Sequence, residues 1–69
     1  MRDEQSLRHG RLLTTAQAAA YLGVSKAFLE RDRWAGARIP FVRIGRTIRY
    51  DLGDLENYID AHREVSAQL

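Results

Sequence analysis

Two stretches of the chain decide its fold: TTAQAAAYLGVSKAFL at residues 14–29 and IPFVRIGRTIRY at residues 39–50. The first places helix-starting residues on both sides of a glycine, the pattern of two helices joined by a tight turn. The second alternates apolar and polar residues around a glycine, which is typical of a β-hairpin. This order predicts a mainly α fold with a small β-hairpin, a winged helix-turn-helix that ends in a further helix.

Capping residues mark the bounds of the first two helices. Thr14, with Gln17 three residues later, matches the capping-box pattern. Gly23 is expected to end the first helix in a left-handed conformation, which costs glycine little. Ser25 is a favourable N-cap for the second helix, which is predicted to extend to about Ala35.

The spacing of Ala19, Gly23 and Leu29 supports the helix-turn-helix. Such a motif needs a small residue where the helices cross, a residue that tolerates positive φ in the turn, and an apolar anchor on the second helix. The three positions meet these needs in that order. Each is weak alone, but together with the caps they favour the motif.

The register of the hairpin depends on its loop. A three-residue loop, residues 45–47, would give an apolar face and a face bearing Arg43 and Arg49 directly opposite each other. A two-residue loop, residues 45–46, would mix arginines with apolar residues on both faces. The three-residue loop is therefore preferred. The opposed arginines are mildly destabilising, which hints at a polyanionic partner unless both splay into solvent.

The rest of the chain divides simply. Asp51 is expected to cap a last helix, whose apolar stripe includes Leu55 and Ile59 and which packs behind the hairpin. Residues 1–11 are predicted to be a flexible N-terminal arm, residues 12–63 the domain, and residues 64–69 a frayed C-terminus.

Charge is concentrated in the middle of the chain. Residues 25–50 carry a net charge of +5, whereas residues 51–69 carry −4 and the whole chain +2. Ten of the eleven cationic residues are arginine, which binds phosphate and guanine edges in a fork that lysine lacks. This distribution predicts that double-stranded DNA contacts the middle of the chain.

The second helix supplies the first group of candidate DNA contacts. With Leu29 inward, its opposite face holds Ser25, Lys26, Ala27, Glu30, Arg31, Arg33 and Trp34. Arg31 is the best candidate for a base-edge contact. Glu30 would accept from a cytosine amino group or, slightly favoured, pair with Arg33 or Lys26.

Two further residues of that helix have structural interpretations. Asp32 is expected to make a local ion pair rather than touch DNA. Trp34 would either cover the edge of the core against the hairpin, the favoured interpretation, or line the DNA interface.

The hairpin supplies the second group. Arg46 at its tip is the best candidate for a phosphate or minor-groove contact, followed by Arg49, Arg43 and Thr47. Thr15 and Arg38 are candidate phosphate contacts outside both elements.

Other classes of function find little support. The two histidines have no cysteine or carboxylate at ligand spacing, so neither a metal nor a cofactor is expected, and no nucleophile–base pair suggests an enzyme. The lack of cysteine fits a reducing cytoplasm, and no apolar run approaches the roughly 20 residues of a membrane span.

The chain resembles a known family over residues 12–60. The segments LLTTAQAAAYLGVS (12–25), IPFVRIGRTIRY (39–50) and DLENYI (54–59) are similar to those of the excisionase-type, MerR-like and AlpA-like winged helix-turn-helix domains of bacteria, phages and integrative elements. The resemblance implies a recognition helix that starts at Ser25 and a wing tip at residues 45–47. One departure is Asp32, where relatives often carry a large apolar residue; Trp34 would compensate for it.

The resemblance also implies a choice of roles. The favoured one is an excisionase, or recombination directionality factor, located with the bacterial nucleoid. Copies would associate on adjacent repeated sites, bend the DNA and assist a tyrosine or serine integrase. The alternatives within the family are a small transcription regulator and an antitoxin-like DNA binder. Apart from the resemblance, the alternative from a different class is a protein-interaction module that uses the winged fold.

Overall fold

A computed structural model describes residues 11–64 of the chain. Its elements in order are β1 (Leu12–Leu13), α1 (Thr15–Leu22), α2 (Lys26–Trp34), β2 (Val42–Ile44), β3 (Thr47–Asp51) and α3 (Leu52–Ala61). The predicted winged helix-turn-helix is confirmed. Most of the predicted arm, residues 1–10, and residues 65–69 of the predicted frayed C-terminus lie outside the described residues.

The wing belongs to a three-stranded antiparallel sheet of order β1-β3-β2. The first strand was not predicted, because two residues are too few to show an alternating pattern. Leu12 pairs with Asp51, Leu13 pairs with Tyr50, and the Arg11 carbonyl accepts a hydrogen bond from the Leu52 amide at 2.9 Å. The start of the domain is therefore joined to the strand that leads into α3.

The predicted caps of α1 are confirmed. The Thr14 hydroxyl accepts from the Gln17 amide at 3.1 Å, and the Gln17 side chain accepts from the Thr14 amide at 2.9 Å. Gly23 has φ 75°, and the Val24 amide bonds to the Ala19 carbonyl in the 6→1 pattern of a Schellman motif. The turn between α1 and α2 is therefore fixed by main-chain hydrogen bonds.

The later helices also begin as predicted. The Ser25 hydroxyl accepts from the Phe28 amide at 3.0 Å, and α2 ends at Trp34 with Ala35 as its cap. Asp51 caps α3 by accepting from the Gly53 amide at 2.8 Å.

The helices and the sheet share one small core. Ala19 and Leu29 are both buried in it, as the spacing predicts, so α1 and α2 cross closely. The fully buried core residues are Ala18, Leu29, Ile39, Tyr50 and Leu55.

The preferred hairpin register is wrong. Val42 pairs with Arg49, Arg43 with Ile48 and Ile44 with Thr47, so the loop has two residues, 45 and 46. Gly45 has φ 62° and Arg46 does not have a positive φ, which is the pattern of a type II′ hairpin turn. This register turns Tyr50 and Ile48 toward the core on the same face as Phe41. Phe41 precedes the strand and adds an apolar side chain to the face that also carries Arg43.

The two arginines consequently do not oppose each other across the hairpin. Arg43 lies on the inner face of the sheet, and Arg49 lies on the outer face. The repulsion that hinted at a polyanionic partner is absent from this pair, so the pair gives no evidence for such a partner.

Asp32 also departs from its prediction. Within residues 11–64 it makes no ion pair. Its carboxylate accepts from the Arg38 amide at 3.2 Å and the Ile39 amide at 3.0 Å, and its carbonyl accepts from the Ala37 amide at 2.7 Å. Ala37 itself has φ 50°. Asp32 therefore holds the connector that delivers Ile39 to the core.

Candidate nucleic-acid interface

Helix α2 has a clear inner and outer side. Leu29 is fully buried, and Glu30 and Arg33 are half-buried. The exposed candidate residues of its outer side are Ser25, Lys26, Ala27, Arg31 and Trp34. Phe28, which precedes Leu29, is 38% exposed.

The cations of the outer side are available for a partner. Among the described residues, Lys26 and Arg31 have no side-chain hydrogen bond or ion pair. The favoured ion pair of Glu30 is not found there either, since the ion pair present in the described part of the chain joins Arg63 and Asp60 at 2.8 Å. The outer side of α2 is thus a cationic surface with few internal commitments.

Arg33 connects three elements. Its Nη1 donates to the Tyr50 hydroxyl at 2.8 Å and to the Thr15 hydroxyl at 3.4 Å, and its guanidinium lies 5.8 Å from the centre of the Phe41 ring. The arginine therefore joins α2 to the start of α1 and to β3. It also engages Thr15, one of the two candidate phosphate contacts outside α2 and the wing; Arg38, the other, is exposed in the connector.

Trp34 does not cover the core. Its side chain is 89% exposed, so the favoured interpretation is wrong and it does not compensate for the polar residue at position 32. Arg33 and Phe41 make the contact between α2 and the hairpin instead. The remaining interpretation of Trp34, that it lines an interface, stays a prediction.

The wing presents its arginines differently. Arg46 at the tip is exposed and makes no side-chain hydrogen bond within residues 11–64. Arg49 is half-buried and donates to the Ile48 carbonyl at 2.8 Å. Thr47 donates its hydroxyl to the Ile44 carbonyl at 2.6 Å, which uses that donor inside the turn.

Arg43 is exposed and lies at the inner side of the wing. Its guanidinium is 5.7 Å from the centre of the Phe41 ring, which therefore has Arg33 and Arg43 as neighbours. Phe41 was not among the candidate site residues. The signal that could have found it is the alternation that places it on the same face as Arg43 in the two-residue-loop register.

Over residues 11–64 there is no group of histidine and carboxylate side chains that could hold a metal ion. None of the helices there is long and apolar enough to cross a membrane.

Comparison with known proteins agrees with this geometry. A family model described as a helix-turn-helix domain matches residues 12–63. The search of curated proteins found no significant match. The matched range contains every helix and strand that the structure describes and every candidate contact.

Proposed function

The chain belongs to the helix-turn-helix family of excisionase/AlpA-like domains, and on that premise we propose that it recognises specific sites on double-stranded DNA through α2 and the wing. Family membership indicates DNA binding in general. Beyond that, we propose its sequence specificity, the residues that contact DNA and its biological role.

The observation that carries the proposal is the two-sided build of α2. Leu29 anchors one side in the core, while Lys26 and Arg31 on the other side are exposed and without an internal partner in the described chain. Helix α2 therefore keeps one side in the core and offers exposed cationic side chains on the other, an arrangement that suits entry into a major groove.

Each element has a separate role in this proposal. Arg31 reads a base edge, since its fork matches the two acceptors of guanine. Ser25, Lys26, Ala27 and Glu30 face the same groove. Arg46 contacts a phosphate or the adjoining minor groove, and Arg38, Arg49, Thr47 and Thr15 are secondary candidates.

Binding is tested by fluorescence anisotropy with duplexes enriched from a random pool. For about six phosphate contacts, affinity should fall roughly 10³-fold or more between about 50 and 200 mM salt. Arg31→Ala should cost about 1–3 kcal/mol and relax the preference at one base pair, while Arg46→Ala should weaken binding to all sequences alike. A protein without affinity for any duplex at low ionic strength refutes the proposal.

The finer proposal is an excisionase. Copies would bind repeated sites side by side, bend the DNA and help a tyrosine or serine integrase. Circular-permutation gels should show a bend; a straight complex favours the transcription regulator or antitoxin-like binder.

One observation favours a protein-interaction module as the second candidate. A groove of about 280 Å³ is lined by Leu22, Val24, Phe28, Tyr58 and other residues of α3 and its C-terminal end, and is mainly apolar. Partner binding there would persist at high salt, whereas DNA binding through arginines would not.

A further inference from the structure

A groove separates the C-terminal end of α2 from the inner face of the hairpin. We name it the clamp groove; its volume is about 390 Å³ and it is lined by Arg33, Trp34, Phe41, Arg43 and Ile48. The lining contains two guanidinium groups and no carboxylate. The groove is therefore suited to an anion that carries an apolar group.

The two arginines of the clamp groove share one aromatic ring. Arg33 and Arg43 lie 5.8 and 5.7 Å from the centre of Phe41. Arg33 is held by Tyr50, whereas Arg43 has no hydrogen bond or ion pair within residues 11–64. Two like charges beside one ring repel each other, and an anion between them would remove that cost. Arg43 is the one that can move to meet it.

Trp34 adds an apolar wall that is open to solvent. A tryptophan that is 89% exposed buries almost none of its ring in this fold, so its ring is available to a partner. An indole can pack on a deoxyribose while a neighbouring guanidinium binds the phosphate attached to that sugar. Since the groove lies between α2 and the wing, a DNA strand that runs from one to the other would cross it.

We propose that the clamp groove holds one sugar–phosphate unit of duplex DNA, with Arg43 on the phosphate and Trp34 packed on the deoxyribose. This inference rests on the proposed DNA binding and adds a contact point between the two elements already named. Arg33 acts as a positioning residue that keeps Phe41 and the edge of the groove in place.

The first test uses Trp34 itself, because it is the single tryptophan of the chain. Its emission should move to shorter wavelength, and acrylamide should quench it less, when the full chain binds a duplex followed in parallel by anisotropy. Anisotropy that rises while emission and quenching stay unchanged overturns the inference but leaves DNA binding intact. Anisotropy that never rises removes the proposed function itself.

The second test uses a charge-matched pair of variants. Arg43→Gln should weaken binding about tenfold, because it removes one charge-assisted contact. Arg63→Gln loses the same charge from an exposed residue that follows α3, outside the clamp groove, and should change affinity by much less. Equal effects of the two variants would mean that Arg43 contributes only net charge, which overturns the inference.

The third test identifies the phosphate and the sugar. Replacing one phosphate of the selected site by a neutral methylphosphonate should weaken the wild type about tenfold and leave Arg43→Gln unaffected. Trp34→Ala should also lose about tenfold, from about 50 Å² of apolar contact, and Trp34→Phe should lose less. If no single methylphosphonate shows this pattern while Trp34 is strongly quenched, the indole inserts between bases and the inference is wrong.

Discussion

Replacing Asp32 by alanine should destabilise the domain through the connector between α2 and the wing. The carboxylate accepts from two main-chain amides, at 3.2 Å from Arg38 and 3.0 Å from Ile39. The Arg38 amide is exposed and can bond to water, so its loss costs little. The Ile39 amide is part-buried next to a fully buried side chain, and leaving it without an acceptor costs about 2 kcal/mol.

Helix propensity offsets part of that cost. Alanine is the better helix former by about 0.5 kcal/mol, which leaves a net loss of about 1.5 kcal/mol for Asp32→Ala. A chain of 69 residues has a free energy of unfolding of about 3–10 kcal/mol, so the loss is a substantial share. For a domain of this size the midpoint of thermal unfolding should fall by about 6–12 °C.

The assay is urea and thermal unfolding followed by circular dichroism, because the exposed Trp34 is a weak reporter of the core. Asp60→Ala is the matched control: it removes a carboxylate from an exposed ion pair and should cost at most about 0.5 kcal/mol. Asp32→Asn keeps one acceptor oxygen and should fall between the wild type and Asp32→Ala. If Asp32→Ala and Asp60→Ala are equally stable, the connector does not depend on the carboxylate and the reasoning is refuted.

Three further substitutions test other parts of the fold. Gly23→Ala should lower the free energy of unfolding by about 1–2 kcal/mol in urea, because φ is 75° there although no atom lies within 4 Å of the added Cβ; a neutral result would contradict the strain argument. Tyr50→Phe removes the acceptor of Arg33 and should cost about 1 kcal/mol by thermal unfolding, with an unchanged midpoint as the contrary result. Thr14→Ala breaks the capping box with Gln17 and should cost about 1 kcal/mol with a loss of helical circular dichroism; full retention of both would show that the cap is dispensable.

Local chemistry explains which parts of the fold could be predicted from the sequence. The caps at Thr14, Ser25 and Asp51 and the left-handed Gly23 follow from side chains that bond to amides two or three residues away, or from one residue's own backbone freedom. Such features are encoded within a few residues. The order of helices and hairpin follows from them.

The features that the sequence did not predict depend on contacts distant in the chain. Strand β1 exists because β3 offers it an edge, which no pattern in two leucines reveals. The hairpin register is set by Phe41 and Tyr50 meeting inside the fold, with ring centres 6.3 Å apart. The role of Asp32 could not be predicted, because the amides that donate to its carboxylate belong to residues six and seven positions later, beyond the end of the helix.

In the candidate site, too, the local features could be predicted and those that depend on distant contacts could not. That α2 would expose Lys26 and Arg31 could be predicted from helical periodicity once Leu29 was placed inside. The exposure of Trp34 could not be predicted in this way. Arg33 makes the contact with Phe41 and Tyr50 that was expected of Trp34, and these two partners come from other parts of the chain.

The bond from Arg33 to Tyr50 sets the spacing between the helix α2 and the hairpin. The guanidinium bonds α2 to the central strand of the sheet, and this bond opposes a change in the angle between the helix and the hairpin. The distance along a duplex between the base pair met by the helix and the point met by the hairpin tip is then a constant of the scaffold. Variants that keep Arg33 and Tyr50 and change the outer residues of α2 can therefore prefer different bases. The number of base pairs between the contact of the helix and the contact of the hairpin tip should stay the same.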